Sequence, residues 1–267
     1  MTDTKVIKLK LEGDSSERLP NLMGDTTTLR ALNIFSQSDR EEEPLAAYNK
    51  YQEQTKDLNV SSRQLNEIIK SLEETFPPNE DIRNTRYFGL LTSALINNSK
   101  EKKFRIKSRF PMDFVGYKLD GGKELTVDCE VGDGTGMYMK SGKILVNGHA
   151  MDDTGALMEG GYIEIRQGAL SDVGNGMKGG KIKVIGDAYV GAGREMEGGE
   201  IIVEGNADSH TAWRMRKGHI VITGNVTDFT GERMRGGLLE VDGSIQALGD
   251  VKGGEIRRKG ETYWKKE

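Results

Sequence analysis

From Phe104 onward the chain repeats one apolar pattern every nineteen residues. Leu125, Ile144, Ile163, Ile182, Ile201 and Ile220 form one column, and Val127, Val146, Ile165, Val184, Val203 and Ile222 form a second, two residues later. A separation of two is the strand period, so both columns point to one face of a short strand. Twelve residues further on stands a methionine: Met139, Met158, Met177, Met196, Met215 and Met234, without a slip. Glycines keep the same phase. Three residues before each Met lie Gly136, Gly155, Gly174, Gly193, Ala212 and Gly231; three after it lie Gly142, Gly161, Gly180, Gly199, Gly218 and Gly237. A small column, Val131, Ala150, Ala169, Ala188, Ala207 and Val226, precedes the Met by eight. Gly116–Gly122 adds an upstream copy and Val251–Gly254 a shortened downstream one, making about eight copies between Phe104 and Arg258.

A nineteen-residue unit is too short for a propeller blade and has no room for the helices of ankyrin or tetratricopeptide units. The pattern predicts a mainly β fold, a right-handed parallel β-helix (solenoid) of about 7–8 coils with one repeat per coil. Stacked coils stand ~4.8 Å apart. The Ile/Val and Met columns then fill the interior, the Ala/Val column fits where the wall nears the axis, and the glycines supply corners with positive φ. Just after each Met runs a charged column, Lys140, Glu159, Lys178, Glu197, Arg216, Arg235 and Lys252. Its alternating signs fit an ion-pair ladder, and its later members fit a solvated face.

The first hundred residues read differently. Lys5–Leu11 partly alternates, as an edge strand does, and the acidic run Asp39–Glu43 reads as a solvated loop or helix start. Ser61 with Gln64 forms a capping box ahead of the apolar stripe Leu65, Ile68, Ile69, Leu72 and Phe76, which Pro77-Pro78 ends. A second helix is expected over Phe88–Ile96. The predicted organisation is therefore an N-terminal strand plus helical cap over residues 1–100, preceding a β-helix domain over 101–267, with the helices covering an otherwise unpaired strand edge.

Composition agrees with this division. Only three of the 35 glycines, Gly13, Gly24 and Gly89, fall in the first hundred residues. No apolar run approaches a membrane span or a signal core, so a soluble, cytoplasmic protein without a membrane partner is expected. A net charge of −4 argues against a nucleic-acid partner. A single cysteine, Cys129, provides no thiolate cluster.

Candidate chemistry is sparse. Gly174-Asn-Gly176-Met-Lys-Gly179 matches a dinucleotide-binding pattern, but a strand, not a helix, is expected after it. His149, His210 and His219 occupy three different columns, read as solvated turn residues, and do not converge on a metal. Cys129 replaces a repeat glycine and reads as a small buried hydrophobe. Asp133, Asp152, Asp172 and Asp228 lie near one turn, where they either cap backbone N–H groups or, from neighbouring coils, pair as catalytic carboxylates. No Lys or Arg accompanies them in the pattern. Trp213 and Trp264 read as packing residues. No residue is assigned as catalytic, cofactor-binding or metal-binding.

The unit Gly186–Ala207, and Gly132-Asp-Gly134-Thr-Gly136 with its alternating glycines, closely resemble the GXGXG β-helix family over residues 104 to 258. That family comprises the C subunit of formylmethanofuran dehydrogenase, its counterpart in the bacterial formyltransferase/hydrolase complex, and the C-terminal domain of the large glutamate synthase subunit. The chain's length and its Glu17-Arg18-Leu19 are similar to the dehydrogenase subunit, although the insertion common there is missing between Ala188 and Met196. Ile82–Gly89 with Ser93 and Ile96 resembles the segment that enters the glutamate synthase β-helix, one residue shorter. The resemblance implies a non-catalytic scaffold subunit of a multisubunit oxidoreductase in one-carbon metabolism (methanogenesis), or a stand-alone domain or subunit of the glutamate synthase type. An enzyme using carboxylates on its β-helix wall is the third reading. The first two imply other subunits of a hetero-oligomeric complex as partners. Cofactors would then be absent from this chain, with tungsten or molybdenum pterin, or flavin and iron–sulfur clusters, in the partner subunits.

Overall fold

The computed structural model describes residues 25–38, 42–78, 81 and 83–266. The expected strand Lys5–Leu11, the Glu17-Arg18-Leu19 segment, Asp39–Glu41 of the acidic run and Ile82 lie outside them.

The repeat region is a parallel β-solenoid of about eight turns. Strands β1 (Lys103–Ile106), β2 (Glu124–Val127), β3 (Lys143–Val146), β4 (Tyr162–Ile165), β5 (Lys181–Val184), β6 (Glu200–Val203), β7 (His219–Ile222), β8 (Arg235–Val241) and β9 (Gly253–Arg258) stack in chain order. Their register follows the repeat: Ile144 pairs with Ile163, and Ile163 with Ile182. The second and fourth residues of β2 to β7 are buried, as the spacing of two requires. The small column forms a second rail of isolated bridges from Val131 through Ala150, Ala169, Ala188 and Ala207 to Val226. All six methionines are fully buried.

Two complementary fits lock the coils together. The terminal methyl of each Met occupies the space in which a Cβ would stand on a corner glycine of the next coil: Met139 Cε lies 2.6 Å from that position on Gly161, and Met177 Cε lies 2.7 Å from it on Gly199. Likewise Ile163, Ile182, Ile201 and Ile220 each press a Cδ1 methyl against Gly136, Gly155, Gly174 and Gly193. Ala212 takes the glycine's place in this second column with φ 61°, and the residue that follows it at the same interval is Leu239, where the strand column departs from Ile.

Glycine does not hold every left-handed corner. The residue just before each Met also has positive φ, as Tyr138, Leu157, Glu195, Arg214 and Arg233 at 51–57°. Inter-coil hydrogen bonds hold this corner, for example Tyr138 N–H to Ala156 O at 3.0 Å.

The charged column after Met is not a continuous ladder. Glu197 pairs with Arg216, but Lys140, Glu159 and Lys178 find no ion-pair partner among the described residues. Alternating charge operates instead at the first strand position, where Lys103 meets Glu124 at 3.0 Å and Lys181 meets Glu200 at 2.6 Å. On the strand the parallel register sets these side chains directly opposite one another.

Among the described residues four helices close the N-terminal end: α1 (Thr26–Ser36), α2 (Pro44–Gln54), α3 (Ser62–Thr75) and α4 (Arg83–Asn98). The predicted capping box starts α3 and the expected Phe88–Ile96 helix is the centre of α4. Helix α1 buries Leu29, Leu32 and Phe35 at helical spacing, whereas α2 carries little periodic signal and buries only Ala47, Tyr48 and Tyr51. No described helix is long and apolar enough to cross a membrane.

Side chains of the cap supply the hydrogen bonds that the first coil lacks. Arg105 N–H donates to Ser62 Oγ at 2.9 Å and Asn66 Nδ2 donates to Arg105 O at 2.5 Å. Buried Glu73 accepts from Arg109 N–H at 2.9 Å. From α4, Ser93 Oγ accepts from Gly116 N–H at 2.9 Å and donates to Phe114 O at 2.9 Å. Cap and solenoid share one apolar core. At the other end β10 (Glu261–Lys266) folds back antiparallel on β9, a hairpin that the repeat pattern did not anticipate because it departs from the nineteen-residue period.

Two substitutions test these constraints. Gly193→Ala should cost about 1–3 kcal/mol by driving a Cβ into Ile220, and Ile220→Leu added to it should recover part of that loss. Additive effects in denaturant unfolding would refute the interlock. Ser93→Ala should cost about 2–3 kcal/mol, because it strands buried backbone groups, again read by denaturant unfolding.

Candidate functional site

The aspartates near the turn are engaged by the backbone. Asp133 N–H donates to Asp113 Oδ1 at 3.2 Å, Asp152 N–H to Asp133 Oδ1 at 3.2 Å, and Ser171 N–H to Asp152 Oδ1 at 2.9 Å. This is the capping alternative, acting between coils rather than within one turn. A parallel ladder joins Asp187, Asn206, Asn225 and Ser244, each side-chain oxygen of the first three taking the next coil's N–H at 2.7–2.9 Å. His149 performs the same task, its Nδ1 accepting from Gly168 N–H at 3.1 Å. Burial, together with Asp133, raises the Asp113 carboxyl above its usual range.

Asp172 differs from the pattern's expectation. Arg194, from the next coil, lies 2.7 Å from its Oδ1, so a basic residue does accompany these carboxylates. Burial outweighs that partner and raises the Asp172 carboxyl. Arg194 also reaches the Trp213 ring, 5.0 Å from its centroid, and Arg214 lies over the same ring at 4.1 Å.

The remaining candidates stay apart. Gly179 leads into β5, a strand, as expected for that segment. His210 stacks on Phe229 with ring centroids 5.1 Å apart, whereas His219 is on β7 rather than in a turn, 2.9 Å from Glu240. No group of three or more His, Cys, Asp or Glu able to hold a metal occurs among the described residues. Cys129 is partly buried and burial pushes its thiol up, away from the reactive thiolate. Trp264 packs against the core.

A concave site that no single motif announced lies where the cap meets the first two coils. It is a cleft of about 430 Å³ with Tyr48 and Gln52 of α2 and Asn97 of α4 on one side, and Lys102, Lys118, Lys123 and Lys140 on the other. Asp120 is its single carboxylate among the described residues. Asn97 ties the two sides together: its amide donates to Tyr48 Oη at 2.8 Å and its oxygen accepts from Asp120 N–H at 3.3 Å. Lys123 is buried, and its Nζ donates to the carbonyls of Ser99 at 2.6 Å and Glu101 at 3.1 Å. Lys118 Nζ sits 5.5 Å from the centre of the Tyr48 ring.

The electrostatics of the cleft follow from burial and like charge. Burial lowers the Lys123 ammonium, and Lys102 adds to the effect; burial and Lys140 do the same to Lys118. Hydrogen bonds from Gly121 N–H and Ser141 Oγ hold Asp120 below the ordinary carboxylate range. The Tyr48 phenol is pushed up to about 12 by burial. In the sequence these lysines are dispersed among four positions within 39 residues, and the helix opposite them has a weak pattern, so nothing local reveals their convergence.

Burial also raises the phenols of Tyr117 and Tyr162 to about 12 from 10.0. Above pH 10 the unfolded chain loses phenolic protons that the folded chain keeps, so stability should fall as pH rises from 10 towards 12. The depressed lysines act with the opposite sign only below their ordinary 10.5. Melting temperature across this alkaline range should drop, and Tyr117→Phe should flatten the slope; an unchanged slope would count against a buried phenol.

Searches against protein-family models and against curated proteins found no match to this chain.

Proposed function

We propose that the chain is a non-catalytic scaffold subunit of a multisubunit cytoplasmic oxidoreductase, of the kind that the likeness to the C subunit of formylmethanofuran dehydrogenase implies. The observation that best supports this reading is an apolar stripe on the solenoid wall. Leu170 and Tyr189 occupy one column on adjacent coils, joined by Tyr189 N–H to Leu170 O at 3.1 Å, and are 40% and 53% exposed. Single exposed apolar side chains are ordinary, but neighbouring large ones on a rigid wall suit protein contact. A solenoid face is already ordered, so docking on it costs little conformational entropy. The redox cofactors in this reading, tungsten or molybdenum pterin, or flavin with iron–sulfur clusters, belong to the partner subunits.

A second reading is a detached domain of the glutamate synthase type. It draws on α4, because the residues that carry that likeness include Gly89 and Ser93, and these dock on the first coil: a Cβ on Gly89 would strike the Asp113 carbonyl. Catalysis by wall carboxylates is the least favoured, since Asp113, Asp133 and Asp152 each have an oxygen bound to backbone N–H.

Affinity purification of the tagged chain from its native cells separates these readings. The scaffold reading expects co-purification of an amidohydrolase-like subunit and a pterin-containing subunit. A flavin-containing synthase body with a glutaminase would support the second reading, and recovery of copies of the chain alone would overturn both. Leu170→Glu with Tyr189→Glu should abolish capture while leaving the melting temperature within a few degrees, as surface changes do.

A further inference from the structure

We propose that the lysine-lined cleft between the cap and the first two coils binds a small multivalent anion, of the phosphorylated class. The charge balance carries the argument. Among the described residues four ammonium groups and one carboxylate line the cleft, and none of the lysines is ion-paired with Asp120. That carboxylate is engaged elsewhere, accepting from Gly121 N–H at 2.7 Å and Ser141 Oγ at 2.8 Å. Lys118, Lys123 and Lys140 have no ion-pair partner at all among the described residues, and Lys102 Nζ donates only to the Gly121 carbonyl, at 2.8 Å.

A buried ammonium held by neutral carbonyls and crowded by like charge is costly, and a ligand that brings negative charge removes that cost. Lys123 keeps one N–H beyond the two given to Ser99 and Glu101, and Lys118 and Lys140 keep all of theirs. Several point-charge donors without a guanidinium fork fit the tetrahedral oxygens of a phosphoryl group better than the planar pair of a carboxylate. On the opposite side the Tyr48 phenol accepts from Asn97 and the Gln52 amide donates to Asn98 Oδ1 at 3.0 Å, so the ligand is held from the lysine side. The cleft's volume is in the range of small-molecule sites, while the flat walls of the solenoid suit polypeptide.

Inorganic pyrophosphate is the probe, titrated into the purified full chain by calorimetry at about 0.15 M salt, where diffuse surface attraction is screened. Saturable binding is expected, with citrate weaker. Lys118→Gln with Lys140→Gln should weaken it about tenfold or more, the size of a lost charge-assisted contact. Lys178→Gln, in the same column two coils away, should leave it unchanged. These variants avoid Lys123, whose loss risks the fold. The assignment is overturned if pyrophosphate does not saturate, if citrate binds as tightly, if Lys178→Gln weakens binding equally, or if a poly-glutamate peptide binds where pyrophosphate does not. Because the titration uses the chain without partners, its failure leaves the scaffold reading untouched, and failure to capture a partner leaves this one untouched.

Discussion

The nineteen-residue register between coils is the constraint on which the rest of the structure depends. The strand, small-residue and turn columns bond to the next coil at that interval, so a slip of one residue would break the ladder and turn every strand side chain to the opposite face. The Met-to-glycine and Ile-to-glycine fits make the register steric as well as electrostatic. Each glycine is small because a methyl group from another coil already occupies the space of its missing Cβ. At position 212 Ala stands in the glycine column, and the residue at the same interval is Leu239 in place of Ile.

A stack of coils has two ends with unpaired backbone, and the chain closes them by unlike means. At the start, helices α3 and α4 present Ser62, Asn66, Glu73, Ser93 and Asn97, whose side chains replace the missing neighbour coil. At the finish a strand reverses onto β9 and exposes charged residues such as Lys265 and Lys266 at the new edge, a common guard against edge-to-edge pairing. Polar groups needed to join helices to coils therefore gather at the first end. The cleft is a product of that junction, and its lysines stay unneutralised because the carboxylate among them is committed to a turn.

Along the walls, acidic and amide side chains serve the backbone before they serve any ligand. The Asp113–Asp133–Asp152 and Asp187–Asn206–Asn225 ladders give each turn N–H an acceptor from the preceding coil. Such acceptors pair backbone N–H groups that the corners leave outside the strand ladder. Among the described residues, the features left for contact with other molecules include the apolar pair Leu170 and Tyr189 and the basic cleft, of opposite character and in different parts of the molecule.

The solenoid, its strand positions, the buried methionines and the capped helix α3 were all legible in the chain, because each depends on a periodicity that the residues display locally. The left-handed corners at Tyr138, Leu157 and Glu195 were not, since tertiary hydrogen bonds rather than glycine hold them. Helix α2 was also hidden: its burial comes from packing on α4 and not from a strong amphipathic stripe, whereas α1 buries Leu29, Leu32 and Phe35 at helical spacing. Among candidate groups, the aspartates were visible as a turn column, but only the fold decided which acceptor task they perform and that Arg194 reaches Asp172. The cleft was invisible for the same reason. A repeat specifies neighbours one coil apart, whereas Tyr48, Asn97, Lys118 and Lys140 are brought together by the docking of a non-repeating cap, which no period in the sequence encodes.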